Sequence, residues 1–244
     1  MAINTLGRLR PQIAVAALSA VGFFADRLQA GLTRDAAQLL GGDSVISSDH
    51  VLPPAFEAQA RQAGLATART AAFPSMARAP DDKGGASRLV AVKAVSAGYP
   101  LRGSLTVDAG HGEAAVQAGP APGEVWVDAP VLDALGLKLG DALLLGDARL
   151  ILAKVIVIEP DRGAGFLAFA PRVMLHEDDL DATGLVQPAS RVGWRLAVAA
   201  PPALAGARGD ARVREFTRWV EAQVQAQGWR GLRVESVESG RPEM

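Results

Sequence analysis

The residues with the means to do chemistry are few and scattered. Ser47, Ser48, Asp49 and His50 lie side by side, and serine, histidine and carboxylate are the parts of a nucleophilic triad. Adjacent residues at a strand end rarely converge on one point, and the chain has no G-x-S-x-G elbow to present an exposed serine. His111 sits between Asp108 and Glu113, a combination suited to a weak metal or acid–base site. A solvated polar loop explains the same residues with fewer assumptions. His176 leads an acidic run, Glu177, Asp178, Asp179 and Asp181, that lacks the glycine and the Asp-x-Asp-x-Asp spacing of a calcium loop. It reads as the cap of a short helix. Gly163-Ala164-Gly165 lacks the third glycine and the strand–turn–helix setting of a dinucleotide fingerprint, and no G-x-x-x-x-G-K-[ST] occurs anywhere.

Composition narrows the chemistry further. Cysteine is absent, which removes disulfides, zinc-thiolate sites and cysteine catalysis together. The three histidines are far apart, and none forms an H-x-x-x-H pair. Basic and acidic residues nearly cancel, 25 against 26, so no electrostatic footprint for nucleic acid exists. Aromatic residues make up only 5%, leaving a core of alanine, valine and leucine. The sequence therefore implies no catalytic residue, no metal and no cofactor.

The elements that must do this are legible in order. Ile13–Ala25 is an apolar run too short to cross a bilayer, which needs about 20 residues. It suits a signal peptide with Arg8 and Arg10 in the charged region, a buried helix, or the outer half of a membrane helix. Val21, Phe24, Leu28, Leu32, Ala36 and Leu39 recur at steps of three and four, so one helix is predicted to run through to Gly41-Gly42. Ser44–Ser48 alternates as a strand. Pro53-Pro54 opens a helix to Ala63 with Phe56, Ala60 and Ala63 inward. Ala66–Ala79 and Arg88–Ser96 are strands about a turn at Pro80–Gly85, with Pro74 marking an edge or a break. Val107–Pro122, rich in glycine, alanine and proline, reads as a loop.

The segment Gly123–Pro160 is the most explicit. Glu124–Val127 is a strand, Asp128 an N-cap with Pro130 in the first turn, and Gly136 a stop. Two Gly-Asp turns follow, the second joining strands Ala142–Leu145 and Ala148–Ile158 as a hairpin. Phe166 and Phe169 are expected in the core. Arg191–Ala199 is a strand, Pro201–Gly209 a linker, and Asp210 the cap of a helix with Val213, Phe216, Val220 and Val224 inward. Leu232–Glu238 is a last strand. Strands interleaved with single helices give an α+β fold, helices on one face of a mixed sheet, with a strand- and turn-rich middle that looks inserted.

Several stretches in this order resemble the periplasmic domain of MacB-type, FtsX-like ABC transporter permeases, in particular the YbbP-like subgroup. They are Phe23–Arg27, Leu39–Asp43, Val95 with Tyr99–Gly103, Gly123–Val127, Leu135–Asp141, Glu159–Gly163 and Arg241–Met244. The resemblance implies a split βαβ-type porter subdomain, 41–103 with 190–244, and an inserted β-rich sabre subdomain, 104–189. Residues 1–40 would be a stalk helix ending a transmembrane helix. A full permease has further transmembrane helices and an ATPase partner, so the chain reads as an excised extracytoplasmic domain or a truncated product, and residues 1–12 do not look like the inner half of a membrane helix.

The implied function is non-catalytic: transmission of ATP-driven motion, or contact with a lipid-like or hydrophobic substrate or a periplasmic partner, at a bacterial inner membrane. The implied partners are an ABC ATPase subunit, reached through the membrane part, and a second permease copy or half. Arg102, Asp161, Arg162 and Phe166 are the residues expected at a hinge or partner contact. The competing readings are a secreted esterase-like hydrolase and a soluble periplasmic ligand-binding module.

Overall fold

The structure is a computed structural model that describes residues 23–24, 27–163, 169–188 and 190–237. Residues 27–40 are helical (α1), with Leu28, Leu32 and Leu39 exposed, and the rest of the long first helix expected from the sequence lies largely outside the described residues. The chain divides into two compact units, 1–36 and 37–244. No helix among the described residues is long and apolar enough to cross a membrane.

The second unit is α+β and is built on one continuous mixed sheet. Its strands are β1 (Ser44–Ser48), β2 (Ala66–Arg78), β3 (Ser87–Val95), β4 (Leu105–Asp108), β5 (Glu113–Val116), β6 (Glu124–Asp128), β7 (Ala142–Leu145), β8 (Ala148–Ile158), β9 (Arg172–His176), β10 (Gly193–Ala199) and β11 (Arg233–Ser236). The order across the sheet is β11-β1-β10-β2-β3-β9-β6-β8-β4-β5, with β7 bridging β2 and β8. That bridge closes a ring. β2 pairs with β3, β3 with β9, β9 with β6, β6 with β8, β8 with β7, and β7 back with β2 through Ala77↔Leu145 and Arg78↔Leu144. The ring is a six-stranded barrel, and closure removes the free edges those strands would otherwise present.

Alternation along the strands fills the barrel. Val90, Val92 and Ala94 of β3 point inward with Phe73, Val125, Val127, Leu143, Leu145, Leu150, Leu152, Val173 and Leu175. Each large aliphatic side chain so buried contributes about 1.5–3 kcal/mol. Helix α3 (Ala129–Leu135) adds Val131 and Leu135 to the same core, and Gly136 ends it in a left-handed conformation.

The flank β11-β1-β10-β2 is covered by α2 (Pro54–Gln62) and α4 (Ala207–Gln227). Phe56, Ala60, Val213, Phe216 and Val220 meet Ile46, Leu196 and Val198. Phe56 is the centre of this layer, edge-on to Trp219 at 5.8 Å and to Trp229 at 5.3 Å between ring centroids. A third core lies outside the barrel wall, where Val95, Tyr99, Trp126, Ile156 and Met174 meet Leu105 and Val107 of β4.

The structure departs from several expectations. Val107–Pro122 is not all loop: Leu105–Asp108 and Glu113–Val116 form a hairpin. The Asp108 carboxylate accepts hydrogen bonds from the backbone N–H groups of Gly110 and Gly112, so a side-chain turn supplies what the composition hid. Pro74 does not break β2, and it sits at a local edge of the strand, the other of the two expected alternatives. It occupies the stretch where pairing with β10 has ended at Ala72 and pairing with β7 has not yet begun at Ala77, so its missing N–H breaks no ladder. Phe169 is 88% exposed rather than buried, and nothing among the described residues covers it. Helix α4 begins at Ala207, so Asp210 lies in its first turn and is not its cap.

Candidate functional site

Period-two alternation turns Ala91, Lys93 and Val95 away from the barrel interior, and β9 does the same with Arg172, Met174 and His176. Two cations thus stand on the outer wall, on adjacent parallel strands paired as Ala91↔Arg172 and Lys93↔Met174. A buried cation requires a partner. The partners come from the segment leaving β8, Glu159-Pro160-Asp161-Arg162, which crosses that wall.

Lys93 Nζ donates to Glu159 Oε1 at 2.8 Å, to Asp161 Oδ1 at 2.9 Å and to the Tyr99 hydroxyl at 2.9 Å. The Tyr99 hydroxyl donates to the same Asp161 oxygen. Arg172 Nε donates to the second oxygen of Glu159 at 2.8 Å. The side chains of Lys93, Glu159, Asp161 and Arg172 are all at most 5% exposed. The Lys93 ammonium also lies 4.5 Å from the centroid of the Tyr99 ring.

The cluster continues on both sides. Asp128, read as a helix cap, has cap geometry but gives its carboxylate elsewhere, accepting from Arg162 and, at 2.8 Å, from the backbone N–H of Arg172. Arg172 Nη2 in turn donates to the carbonyl of Arg162 at 3.2 Å. On the other side Arg195 of β10 lies 4.0 Å from Asp161 and donates to the carbonyl of Leu40 at 2.9 Å. Gly41 allows this closeness: its φ is +83°, and a Cβ there would lie 2.9 Å from Asp161 Oδ2.

Electrostatics follow from the geometry. Burial works against charging Glu159 and Asp161, but the Lys93 ammonium, with Arg172 beside Glu159 and the Tyr99 hydroxyl on Asp161, holds both carboxyls below their ordinary values. Burial and the same two carboxylates push the Tyr99 phenol well above its usual value. The hydrogen bond to Asp128 raises the Arg162 guanidinium. The arrangement is a set of polar side chains locked against one another by hydrogen bonds in a buried setting.

The structure thus brings together two of the four residues expected at a hinge or contact. Asp161 is at the centre of the cluster and Arg162 at its margin. Arg102 stands close by in its own pair, donating to both oxygens of Asp43 at 2.7 and 2.6 Å and to the carbonyl of Ala200 at 2.9 Å. Phe166 lies outside the described residues. Lys93, Tyr99, Glu159 and Arg172 were not expected at the site. The signals for them were a lysine inside an apolar strand and the chain's one tyrosine.

No family model matches the sequence. The "Uncharacterized ABC transporter permease YbbP" of Escherichia coli strain K12 is 31% identical over 230 residues, covering 94% of this chain. The chain is a relative of an ABC transporter permease. It spans about a quarter of that permease, 26% of its length. Among solved structures, the periplasmic region of MacB from Actinobacillus actinomycetemcomitans shares 8% identity at a TM-score of 0.48, covering 83% of this chain and 92% of that one. The extracellular domain of the noncanonic ABC-type transporter YknZ from Gram-positive bacteria shares 10% identity at a TM-score of 0.48, covering 79% and 100%.

The remaining candidates of this permease relative do not assemble. His50 Nδ1 pairs with Asp49 at 2.7 Å on the open surface, and Ser48 Oγ accepts from the backbone N–H of His50, a local turn that occupies the serine. Asp108 is engaged by its own turn, leaving His111 exposed beside it. His176, not the acids after it, caps the short 3-10 helix Glu177–Asp179 by accepting from the N–H of Asp178 at 3.2 Å.

Proposed function

We propose that this chain is the extracytoplasmic domain of an ABC transporter permease at a bacterial inner membrane. It carries no chemistry of its own and passes ATP-driven motion between the membrane and the periplasm. The observation that carries the reading is the match of 94% of the chain to one segment of a permease. Residues 1–40 act as the stalk, 41–103 with 190–244 as the porter-like subdomain, and 104–189 as the sabre-like insertion. Hydrogen-bonded strands join the porter-like and sabre-like parts, β3 with β9 and β2 with β7. The buried cluster, with Lys93 and Tyr99 on one side and Glu159, Asp161 and Arg172 on the other, ties the two parts together where they meet. Arg102, Asp161, Arg162 and Phe166 lie at the hinge between subdomains or at the contact with a partner.

The partners of this reading are an ABC ATPase subunit, a second permease copy or half, and a periplasmic protein. The test has two arms. The complete reading frame should show apolar segments of about 20 residues flanking this region. In the assembled transporter, deleting the domain should leave basal ATP hydrolysis in place and abolish its coupling to transport. ATPase and transport both unchanged on deletion would overturn the proposal.

A further inference from the structure

A groove of about 480 Å³ opens where the barrel meets the helix-covered flank. That volume lies within the range of about 300–1,000 Å³ typical of small-molecule sites. Its floor is made by Ala71 of β2 and Ala94 of β3, directly paired and both buried. These two small side chains leave the space open. The walls are apolar: Val51 and Leu52 before α2, Leu180 from the 3-10 segment after β9, and the half-buried Trp194 of β10. Val51 is 69% exposed, an apolar side chain standing at the mouth.

The rim has a sign. Four carboxylates, Glu57, Glu177, Asp178 and Asp181, line the groove against two guanidinium groups, Arg69 and Arg195. Arg69 is spent on Glu57 at 3.0 Å and on both oxygens of Glu177 at 3.1 and 2.7 Å. Arg61 donates to Glu57 at 2.6 Å as well. Arg195 is turned to the carbonyl of Leu40 and to Asp161. Asp178 and Asp181 remain, both exposed at the mouth, and no arginine among the described residues ties either of them down. His176 Nδ1 lies 3.4 Å from Asp178, and the Arg69 guanidinium also feels the Asp178 charge without a direct ion pair.

We propose that this groove binds a cationic amphiphile. The tail lies along Leu52, Leu180 and Trp194 over the alanine floor. The ammonium head sits at the mouth between Asp178 and Asp181, where the two carboxylates favour a cation. An anionic head of the same tail length meets net negative charge and is rejected. The groove thereby gives a ligand class to the transport reading above, but binding by this chain alone is measured without transport, so each can fail separately.

The test is isothermal titration calorimetry of the whole chain with dodecyltrimethylammonium below its micelle concentration, with circular dichroism recorded on the same samples. Dodecyl sulfate, dodecyl maltoside and tetramethylammonium are the comparison ligands. One saturable site for dodecyltrimethylammonium is expected with the fold signal unchanged, and no binding of tetramethylammonium. Asp178→Asn with Asp181→Asn should weaken it about threefold to tenfold, more at low salt. Trp194→Ala should weaken it further, while maltoside binding should respond to Trp194→Ala and not to the asparagine pair. Equal affinity for the cationic and anionic detergents would overturn the proposal, as would binding indifferent to the asparagine pair. Heat that appears only as the fold signal is lost would do the same.

Discussion

Lys93 Nζ lies 2.8 Å from Glu159 Oε1, joining the middle of β3 to the first residue beyond β8 with neither side chain reaching solvent. The pair holds segments 66 residues apart in sequence. It is a buried ion pair, so its value lies less in net stability than in the arrangement it fixes.

Removing one partner of such a pair strands the others. Lys93→Met leaves Asp161 buried with only Tyr99 and the more distant Arg195, and leaves Glu159 with Arg172 alone. The expected loss of unfolding free energy is about 3–5 kcal/mol. Lys93→Met combined with Asp161→Asn leaves Glu159 matched to Arg172, and should be less destabilised than Lys93→Met by itself. Urea denaturation of the three proteins gives both numbers. A double variant weaker than the single one would contradict this pairing.

Much of this was legible in the sequence, and the misses share a cause. Turns and strand periods are local, so Gly123–Pro160 was readable almost residue by residue, and the α+β class followed from the order of elements. Asp161, Arg162 and Arg102 were singled out through family resemblance, not through any local pattern. Lys93 was visible as a lysine in an apolar strand, but its partners lie 66 and 68 residues on, and no periodicity reports that distance. The closed barrel was hidden in the same way. It depends on β7 reaching back to β2, a contact of two residue pairs between strands far apart in the chain. Phe169 failed because an average preference for burial says nothing of a single residue.

The same cluster sets the pH range of the fold. Glu159 and Asp161 titrate lower in the folded chain than in the unfolded one. Their contribution is complete above the unfolded carboxylate values, about 4, and is lost as pH falls through the folded ones. Tyr99 titrates higher when folded, so its contribution is complete below about 10 and is lost as pH rises through the folded value. Stability should therefore fall on both the acid and the alkaline side. Tyr99→Phe should flatten the alkaline limb and leave the acid limb in place. Chemical denaturation at pH values from 3 to about 11 reads both limbs, and an unchanged alkaline limb in Tyr99→Phe would remove Tyr99 from the account.

Arg102 and Arg162 differ from the core of the cluster because both are partly exposed. Arg102→Ala leaves Asp43 still accepting from the N–H of Ala200 at 2.9 Å, so its cost should be modest, about 1–2 kcal/mol. The Arg102→Ala and Arg162→Ala double variant should stay folded. In the assembled transporter it should lower transport for each ATP hydrolysed. Unchanged transport by that variant would refute a role for these residues at a hinge or contact.

The two Gly-Asp turns look alike in sequence, yet the structure separates them. Gly140 has φ +87°, and a Cβ there would meet nothing within 4 Å, whereas Gly146 has φ +58° and a Cβ there would lie 2.0 Å from the carbonyl oxygen of Thr183. Gly140→Ala therefore meets only the strain of a left-handed residue, about 1–2 kcal/mol. Gly146→Ala meets that strain and a backbone atom that cannot swing aside, because the Thr183 carbonyl also accepts from the N–H of Asp147 at 2.9 Å. The β7–β8 hairpin or the 3-10 segment ending at Gly184 must move, and β7 is the strand that closes the barrel. The expected cost is upward of about 3 kcal/mol. Thermal unfolding of the two alanine variants side by side decides it: Gly146→Ala should melt well below Gly140→Ala, and equal melting temperatures would mean that the turn is not held against the 3-10 segment.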